Sequence, residues 1–276
     1  MKIFRKASEL EPNLVSIKDK GQSIGLVLTM GNLHDGHLSL IREAQLHNEF
    51  VICSIFINPT QFNNENDFNS YPKTIDEDIS KLENIGCNVL FLPEVQEIYP
   101  KGLAKKKIVN NFRNILCDKF RPGHFDGVTT VVDLFFNMIK PTNSYFGEKD
   151  FQQVKIIQDL VKINHHNIKI IQCPSVRDKM GMSLSSRNSK FSNDQLKIFN
   201  VLGNKIKEYI NLLIQNEINN LDQLKIELLQ NNINKIDYLE IRNENNLEIT
   251  KNYSEARLFI ALYIGDIRII DNFKLY

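Results

Sequence analysis

Up to about Pro174 the chain alternates between short apolar runs and stretches in which apolar residues recur every three or four positions. Gly25 to Met30 (GLVLTM) is a run of strand length, and after a turn bearing glycines and histidines Leu38, Ile41 and Ala44 or Gln45 repeat at helical spacing. Phe50 to Ile57 (FVICSIFI) is continuously apolar, the pattern of a parallel strand covered on both faces. Ile75, Ile79, Leu82 and Ile85 predict a helix that Gly86 stops, and Asn88 to Leu92 predicts the next strand. A helix from about Asp126 to Ile139 ends before Pro141, and a short strand runs through Tyr145 and Phe146. A helix carrying Val154, Ile157, Leu160 and Val161 and a strand from Ile168 to Gln172 follow.

This alternation predicts an α/β fold with a doubly wound, Rossmann-like parallel sheet and right-handed crossovers, whose ligands bind at the carboxyl ends of the strands. Beyond Pro174 the pattern changes. A polar Ser-rich loop leads into helical stretches near 192 to 215 and 220 to 231, then strands near 236 to 241, 257 to 264 and 267 to 270. Residues 175–276 are therefore expected to form a second, smaller α+β domain that closes over a site on residues 1–174. The Asn-rich passage around Asn219 to Asn234 reads as compositional bias, and no self-similar period points to a repeat architecture.

Composition narrows the function classes. With 34 Lys plus Arg against 33 Asp plus Glu, no basic field exists to hold a polyphosphate backbone, so nucleic acid is not an expected partner. The densest basic run, Lys105, Lys106 and Lys107, reads as a solvated face. Cys53, Cys87, Cys117 and Cys173 are too widely spaced for a zinc cluster or a redox pair. No charged-then-apolar leader opens the chain and no apolar run is long enough to cross a membrane, which fits a reducing cytoplasm.

Four polar elements carry candidate chemistry. The turn Thr29-Met30-Gly31-Asn32-Leu33-His34-Asp35-Gly36-His37 lies at the first strand-to-helix junction, where backbone N–H groups and a positive helix end are expected to face an anion. Gly31 and Gly36 permit the tight turn. His34 and His37 can hydrogen-bond phosphate oxygens as charge builds on a transferring phosphoryl group; a metal pair or an incidental placement would share their spacing. Asn58-Pro59-Thr60-Gln61-Phe62 leaves the next strand. Its two amides suit a small hydroxylated acid, although Asn-Pro also begins ordinary turns. Phe146-Gly147-Glu148-Lys149-Asp150-Phe151-Gln152-Gln153 follows a third strand: Lys149 can place a charge near phosphates, and Asp150 can cap a helix or take a ribose hydroxyl. Leu184-Ser185-Ser186-Arg187-Asn188 forms a loop, expected to be mobile, that can close over a triphosphate, or else a plain Ser-rich linker.

The His-x-Gly-His turn resembles the signature of the nucleotidylyltransferase-like superfamily, whose members act on the α-phosphate of ATP. Together with Asn-Pro-Thr-Gln-Phe and Phe-Gly-Glu-Lys-Asp-Phe-Gln-Gln it is similar to the pantothenate synthetase family over nearly the whole length, most strongly from about residue 25 to 190. Further similar stretches are Tyr71-Pro72-Lys73-Thr74, Arg121-Pro122-Gly123-His124-Phe125 and Pro174-Ser175-Val176-Arg177. The resemblance implies condensation of (R)-pantoate with β-alanine, using ATP and Mg²⁺, through a pantoyl adenylate, by a cytoplasmic homodimer. It places Met30, Gly31, Asn32, Leu33, His34, Asp35, Gly36, His37, Gly147, Glu148, Lys149, Asp150, Val176, Leu184, Ser185, Ser186 and Arg187 at ATP. Gln61 and Gln153 go to pantoate, and Gln61 and Asn58 to β-alanine. His37 takes the family's proton-donor role, with His34, Lys149, Ser185 and Arg187 stabilising charge. Leu184 departs from the family's usual methionine, a change between apolar residues. The metal ligands stay undefined, with Glu77 and Asp78 as weak candidates. A phosphate-directed nucleotidyl transferase would share the histidine turn without needing Gln61 and Gln153, and a non-catalytic nucleotide sensor would need only the phosphate-binding part.

Overall fold

The computed structural model describes every residue except 64, 103–105, 166, 216 and 218–220. Lys105 of the lysine run and Asn219 and Asn220 of the Asn-rich passage lie outside the described residues. The chain divides into two units. The first comprises Met1–Arg113, Arg121–Glu148 and Gln152–Pro174; the second comprises Asn114–Phe120, Lys149–Phe151 and Ser175–Tyr276.

In the first unit, β1 (Lys2–Phe4) and α1 (Ala7–Asp19) precede β2 (Ile24–Thr29), α2 (Asp35–His47) and β3 (Phe50–Ile55). The short α3 (Glu65–Asn69), α4 (Ile75–Asn84), β4 (Val89–Phe91) and the single-turn α5 (Val95–Ile98) come next. In the second unit lies α6 (Leu116–Phe120); the first resumes with α7 (His124–Ile139), β5 (Asn143–Gly147), α8 (Phe151–Asn164) and β6 (Lys169–Cys173). All six strands are parallel, in the order β1-β4-β3-β2-β5-β6. From β2 the chain winds one way through β3 and β4, then returns to the other side of β2 with β5 and β6. The winding reverses between β2 and β5, and a crevice at the carboxyl ends of such strands is where ligands of doubly wound sheets bind. The His-x-Gly-His turn leaves β2, and Gly147 ends β5.

Several elements escaped the periodicity, the short α3, α5 and α6 among them, and β1 and α1 show why. β1 is a three-residue edge strand, too short for a pattern to register. α1 contains Pro12, which removes one helical N–H and argues locally for a break, yet Leu10, Leu14 and Ile17 are buried along one face. Tertiary burial overrides the local cost.

The second unit adds α9 (Asn193–Ile214), α10 (Asp222–Gln230) and an antiparallel sheet of β7 (Lys235–Asn243), β8 (Ala256–Ile264) and β9 (Ile267–Lys274), in that order. Ser192 and Gln195 start α9 with a reciprocal capping box. Leu202, Ile206 and Leu213 of α9 and Leu224 and Leu228 of α10 share a core with Leu258, Ile260 and Leu262 of β8. The four cysteines are buried and unbridged. Burial pushes the Cys87 thiol up to about 11 and that of Cys173 to about 12, so neither is a thiolate at neutral pH. Among the described residues no helix is long and apolar enough to cross a membrane.

Candidate active site

The turn after β2 is built almost entirely from its own polar atoms and one distant carboxylate. The Thr29 hydroxyl donates to the Ser54 carbonyl of β3 at 2.8 Å and accepts from Gly31 N–H at 3.2 Å. Gly31 and Asn32 then take left-handed conformations, φ +81° and +49°, which glycine adopts freely and asparagine tolerates. The peptide N–H groups of Asn32 and Leu33 both donate to the Asp78 carboxylate of α4, at 2.8 and 2.7 Å. The Thr74 hydroxyl donates to the same group at 3.2 Å, and Lys81 Nζ donates to the Leu33 carbonyl at 2.8 Å. Asp78 is fully buried. It is an anchor for the turn, with its oxygens committed to these donors, and not the magnesium ligand considered above; Glu77 beside it is exposed. A signal for Asp78 was present: Ile75, Ile79 and Leu82 put position 78 on the apolar face of the helix, where an acid needs a partner.

The two histidines are oriented by the backbone. His34 caps α2, its Nδ1 accepting from Gly36 N–H at 3.1 Å, and His37 Nδ1 accepts from His34 N–H at 3.3 Å. Since each Nδ1 is an acceptor, each neutral ring carries its proton on Nε2. The rings lie 4.1 Å apart, centroid to centroid. Gly36 is required because a Cβ there would sit 2.8 Å from His34 Cε1. Of the backbone N–H groups expected to face an anion, those of Gly31, Asn32, Leu33, His34, Gly36 and His37 donate instead to protein acceptors. The imidazole Nε2–H groups are the donors suited to phosphate. Leu33 is likewise a core residue, 2% exposed, with both backbone polar atoms engaged.

At the end of β3, Asn58 has a structural task instead of the expected contact with β-alanine. It is 1% exposed. Its Oδ1 accepts from Tyr99 Oη at 2.8 Å, Thr60 Oγ1 at 2.9 Å and Thr60 N–H at 3.3 Å. Its Nδ2 donates to Gln61 Oε1 at 3.1 Å and to the Gly127 carbonyl at 3.2 Å. With the amide spent, Asn58 aligns Gln61, whose Nε2 lies 3.0 Å from Met30 Sδ. Met30 and Gln61, from the ends of β2 and β3, are thus brought together.

Beyond β5, the Glu148 carboxylate accepts from Gln172 Nε2 at 2.8 Å, and half-buried Gln153 lies in the first turn of α8. Lys149 and Asp150 group with the second unit, where the Lys149 carbonyl accepts from Asn272 Nδ2 at 3.1 Å. The Ser-rich loop of that unit is no bare linker. Arg177 donates to Asp271 Oδ2 at 3.0 Å, to the Gly181 carbonyl at 2.8 Å and to the Asn272 carbonyl at 2.6 Å. Ser183 N–H donates to Asp271 at 2.7 Å, and Leu184 N–H to the Val176 carbonyl at 3.0 Å. Ser185 Oγ accepts from Arg187 N–H at 3.2 Å, and Ser185, Ser186 and Arg187 are half-buried.

A reversed-winding parallel sheet with paired imidazoles at the turn leaving one of its central strands places the chain among the doubly wound α/β proteins. The chain matches the Pantoate-beta-alanine ligase family over residues 2–274, and it belongs to that family. It is 44% identical over 255 residues to a pantothenate synthetase of Francisella tularensis subsp. novicida, covering 92% of this chain and 90% of that one. To a pantothenate synthetase of a Marinomonas species it is 39% identical over 284 residues, covering 100% and 99%. Among solved structures it superposes on the pantothenate synthetase of Thermus thermophilus with a TM-score of 0.91 at 32% identity, each chain covered completely. The Francisella tularensis enzyme complexed with beta-gamma ATP and beta-alanine gives a TM-score of 0.85 at 39% identity, covering 100% of this chain and 98% of that one.

Proposed function

We propose that this chain is a pantothenate synthetase, which joins (R)-pantoate to β-alanine at the expense of ATP. A carboxylate is a poor acylating agent because its leaving group would be an oxide. Adenylation removes that obstacle: a pantoate carboxylate oxygen attacks the α-phosphorus, pyrophosphate leaves, and a pantoyl adenylate remains. The β-alanine amine then attacks the acyl carbon, loses a proton and displaces AMP.

The observation that carries this reading is the pair of Nε2–H imidazoles fixed by backbone donors at the switch-point strand of a family member. Their N–H groups suit charge developing on phosphate oxygens, so His34 and His37 are assigned that stabilising role, His37 nearest the reacting group. Gln61, aligned by Asn58, and Gln153 are assigned to pantoate, with Gln61 beside β-alanine. Lys149, Ser185 and Arg187 of the second unit are assigned to the phosphate charge, and Gly147, Glu148, Asp150, Val176, Leu184 and Ser186 to the nucleotide.

Magnesium, when bound, neutralises phosphate charge. Its expected ligands are mostly the nucleotide's oxygens and water. A cytoplasmic homodimer belongs to the same reading and rests on the family resemblance.

The test is incubation with ATP and Mg²⁺ while pantoate and β-alanine are each supplied or withheld. AMP release that requires both acids supports the proposal. Nucleotidyl transfer to a phosphate-bearing acceptor, without AMP release, would replace it with the related transferase.

A further inference from the structure

The stretch Arg121-Pro122-Gly123-His124-Phe125 takes no part in the chemistry above, yet the structure sets it against the residue assigned to pantoate. Two donors converge on the main-chain carbonyl of Gln61: His124 Nδ1 at 2.7 Å and Arg121 Nη2 at 3.3 Å. Arg121 Nη1 lies 3.1 Å from His124 Nε2. Only one protonation pattern satisfies all three contacts, with the His124 proton on Nδ1 facing the carbonyl and the Nε2 lone pair receiving the guanidinium N–H. His124 is buried.

The same segment grips the neighbouring residues. Asn63 Nδ2 donates to the Pro122 carbonyl at 2.5 Å, and Asn58 Nδ2 donates to the Gly127 carbonyl at 3.2 Å. A Cβ at Gly127 would overlap the Thr60 carbonyl and lie 2.8 Å from Gln61 N, so the first turn of α7 rests directly on the peptide between residues 60 and 61. Gln61 is therefore held at both ends, its side-chain amide by Asn58 and Met30 and its backbone by Arg121 and His124.

We infer that Arg121 and His124 are positioning residues, which set the affinity for the acid substrate by fixing the Gln61 carbonyl and with it the direction of the Gln61 side chain. This rests on the functional reading above. His124→Ala removes the shorter hydrogen bond, whereas His124→Asn restores an amide N–H close to the place of Nδ1–H. A neutral hydrogen bond of this kind corresponds to about tenfold in an equilibrium, so the pantoate KM of His124→Ala should rise about tenfold while kcat and the ATP KM move about twofold or less. His124→Asn should recover most of the loss, and Arg121→Gln, which keeps the imidazole, should show a smaller rise in pantoate KM.

The experiment is steady-state AMP release with pantoate varied, run on the wild type and these three variants, with thermal melting as the measure of folding. A wild type that releases no AMP with both acids present sinks the functional reading and this inference together. An active wild type whose His124→Ala variant keeps its pantoate KM, or whose His124→Asn variant is no better than His124→Ala, overturns the positioning role alone. Should His124→Ala melt too low to assay, an unchanged pantoate KM in Arg121→Gln overturns it as well.

Discussion

Two buried aspartates, one in each unit, hold the two loops assigned to the nucleotide, and they do so by different physics. Asp78 holds the turn after β2 through two peptide N–H groups and a hydroxyl. Asp271 holds the Ser-rich loop through the Arg177 guanidinium, assisted by the N–H groups of Ser183 and Asn272. Burial pushes the Asp271 carboxyl above the usual carboxylate range, and Arg177 pulls it back only in part. The difference teaches that the Asp78 carboxylate is met by uncharged donors and the Asp271 carboxylate by a guanidinium, while the cations assigned to phosphate charge, Lys149 and Arg187, belong to the second unit.

The largest expected effect breaks the ionic half. Arg177→Ala leaves the Asp271 carboxylate buried and unpaired, which should cost about 3 kcal/mol at pH 7 in urea denaturation, the lower end for such pairs because Arg177 keeps 30% exposure. A carboxyl whose folded pKa is raised favours the folded state below the unfolded value, and loses that contribution as pH rises through the folded one. The Arg177→Ala deficit should therefore shrink as the medium is acidified from pH 7 to a second, acidic pH, because the raised carboxyl takes up its proton more readily there. An equal deficit at both pH values would refute the ionic account.

Next, Lys149→Ala and Arg187→Ala should each lower the adenylation rate by about 3 kcal/mol in barrier while weakening ATP binding less, because charge stabilisation counts most in the transition state. Single-turnover adenylation set beside equilibrium ATP binding checks this, and equal losses in both would contradict it. Asp78→Asn turns an amide N–H₂ toward a backbone donor and should cost about 2 kcal/mol of stability, with a raised ATP KM and little change for pantoate. An unaltered ATP KM would reduce Asp78 to a core residue. The smallest effect is Gly36→Ala: the new methyl displaces the His34 ring, and adenylation should slow about tenfold with folding barely changed.

How far such features can be read from sequence depends on how local they are. The central strands and the helices between them follow from runs and repeats of a few residues, and the described strands of the second unit lie where the late apolar stretches put them. The histidine turn, the amides after β3 and the Ser-rich loop announced themselves as polar residues at strand ends. Asn58 shows the limit. Its type suggested a ligand, but its neighbours Tyr99 and Gly127, 41 and 69 residues away, consume its amide. The N–H groups of Asn32 and Leu33 show it again, because their acceptor, Asp78, comes from another helix. α1 hid behind Pro12 for the converse reason, a local penalty outweighed by burial.

By itself the sequence determined the period of each segment, the residue types at each strand end and the family they resemble, all properties of neighbouring positions. The tertiary structure alone decided which polar groups are spent on partners 45 or 46 residues away. Hydrogen-bonding capacity is finite, and its allocation depends on contacts that form only when distant segments are buried together.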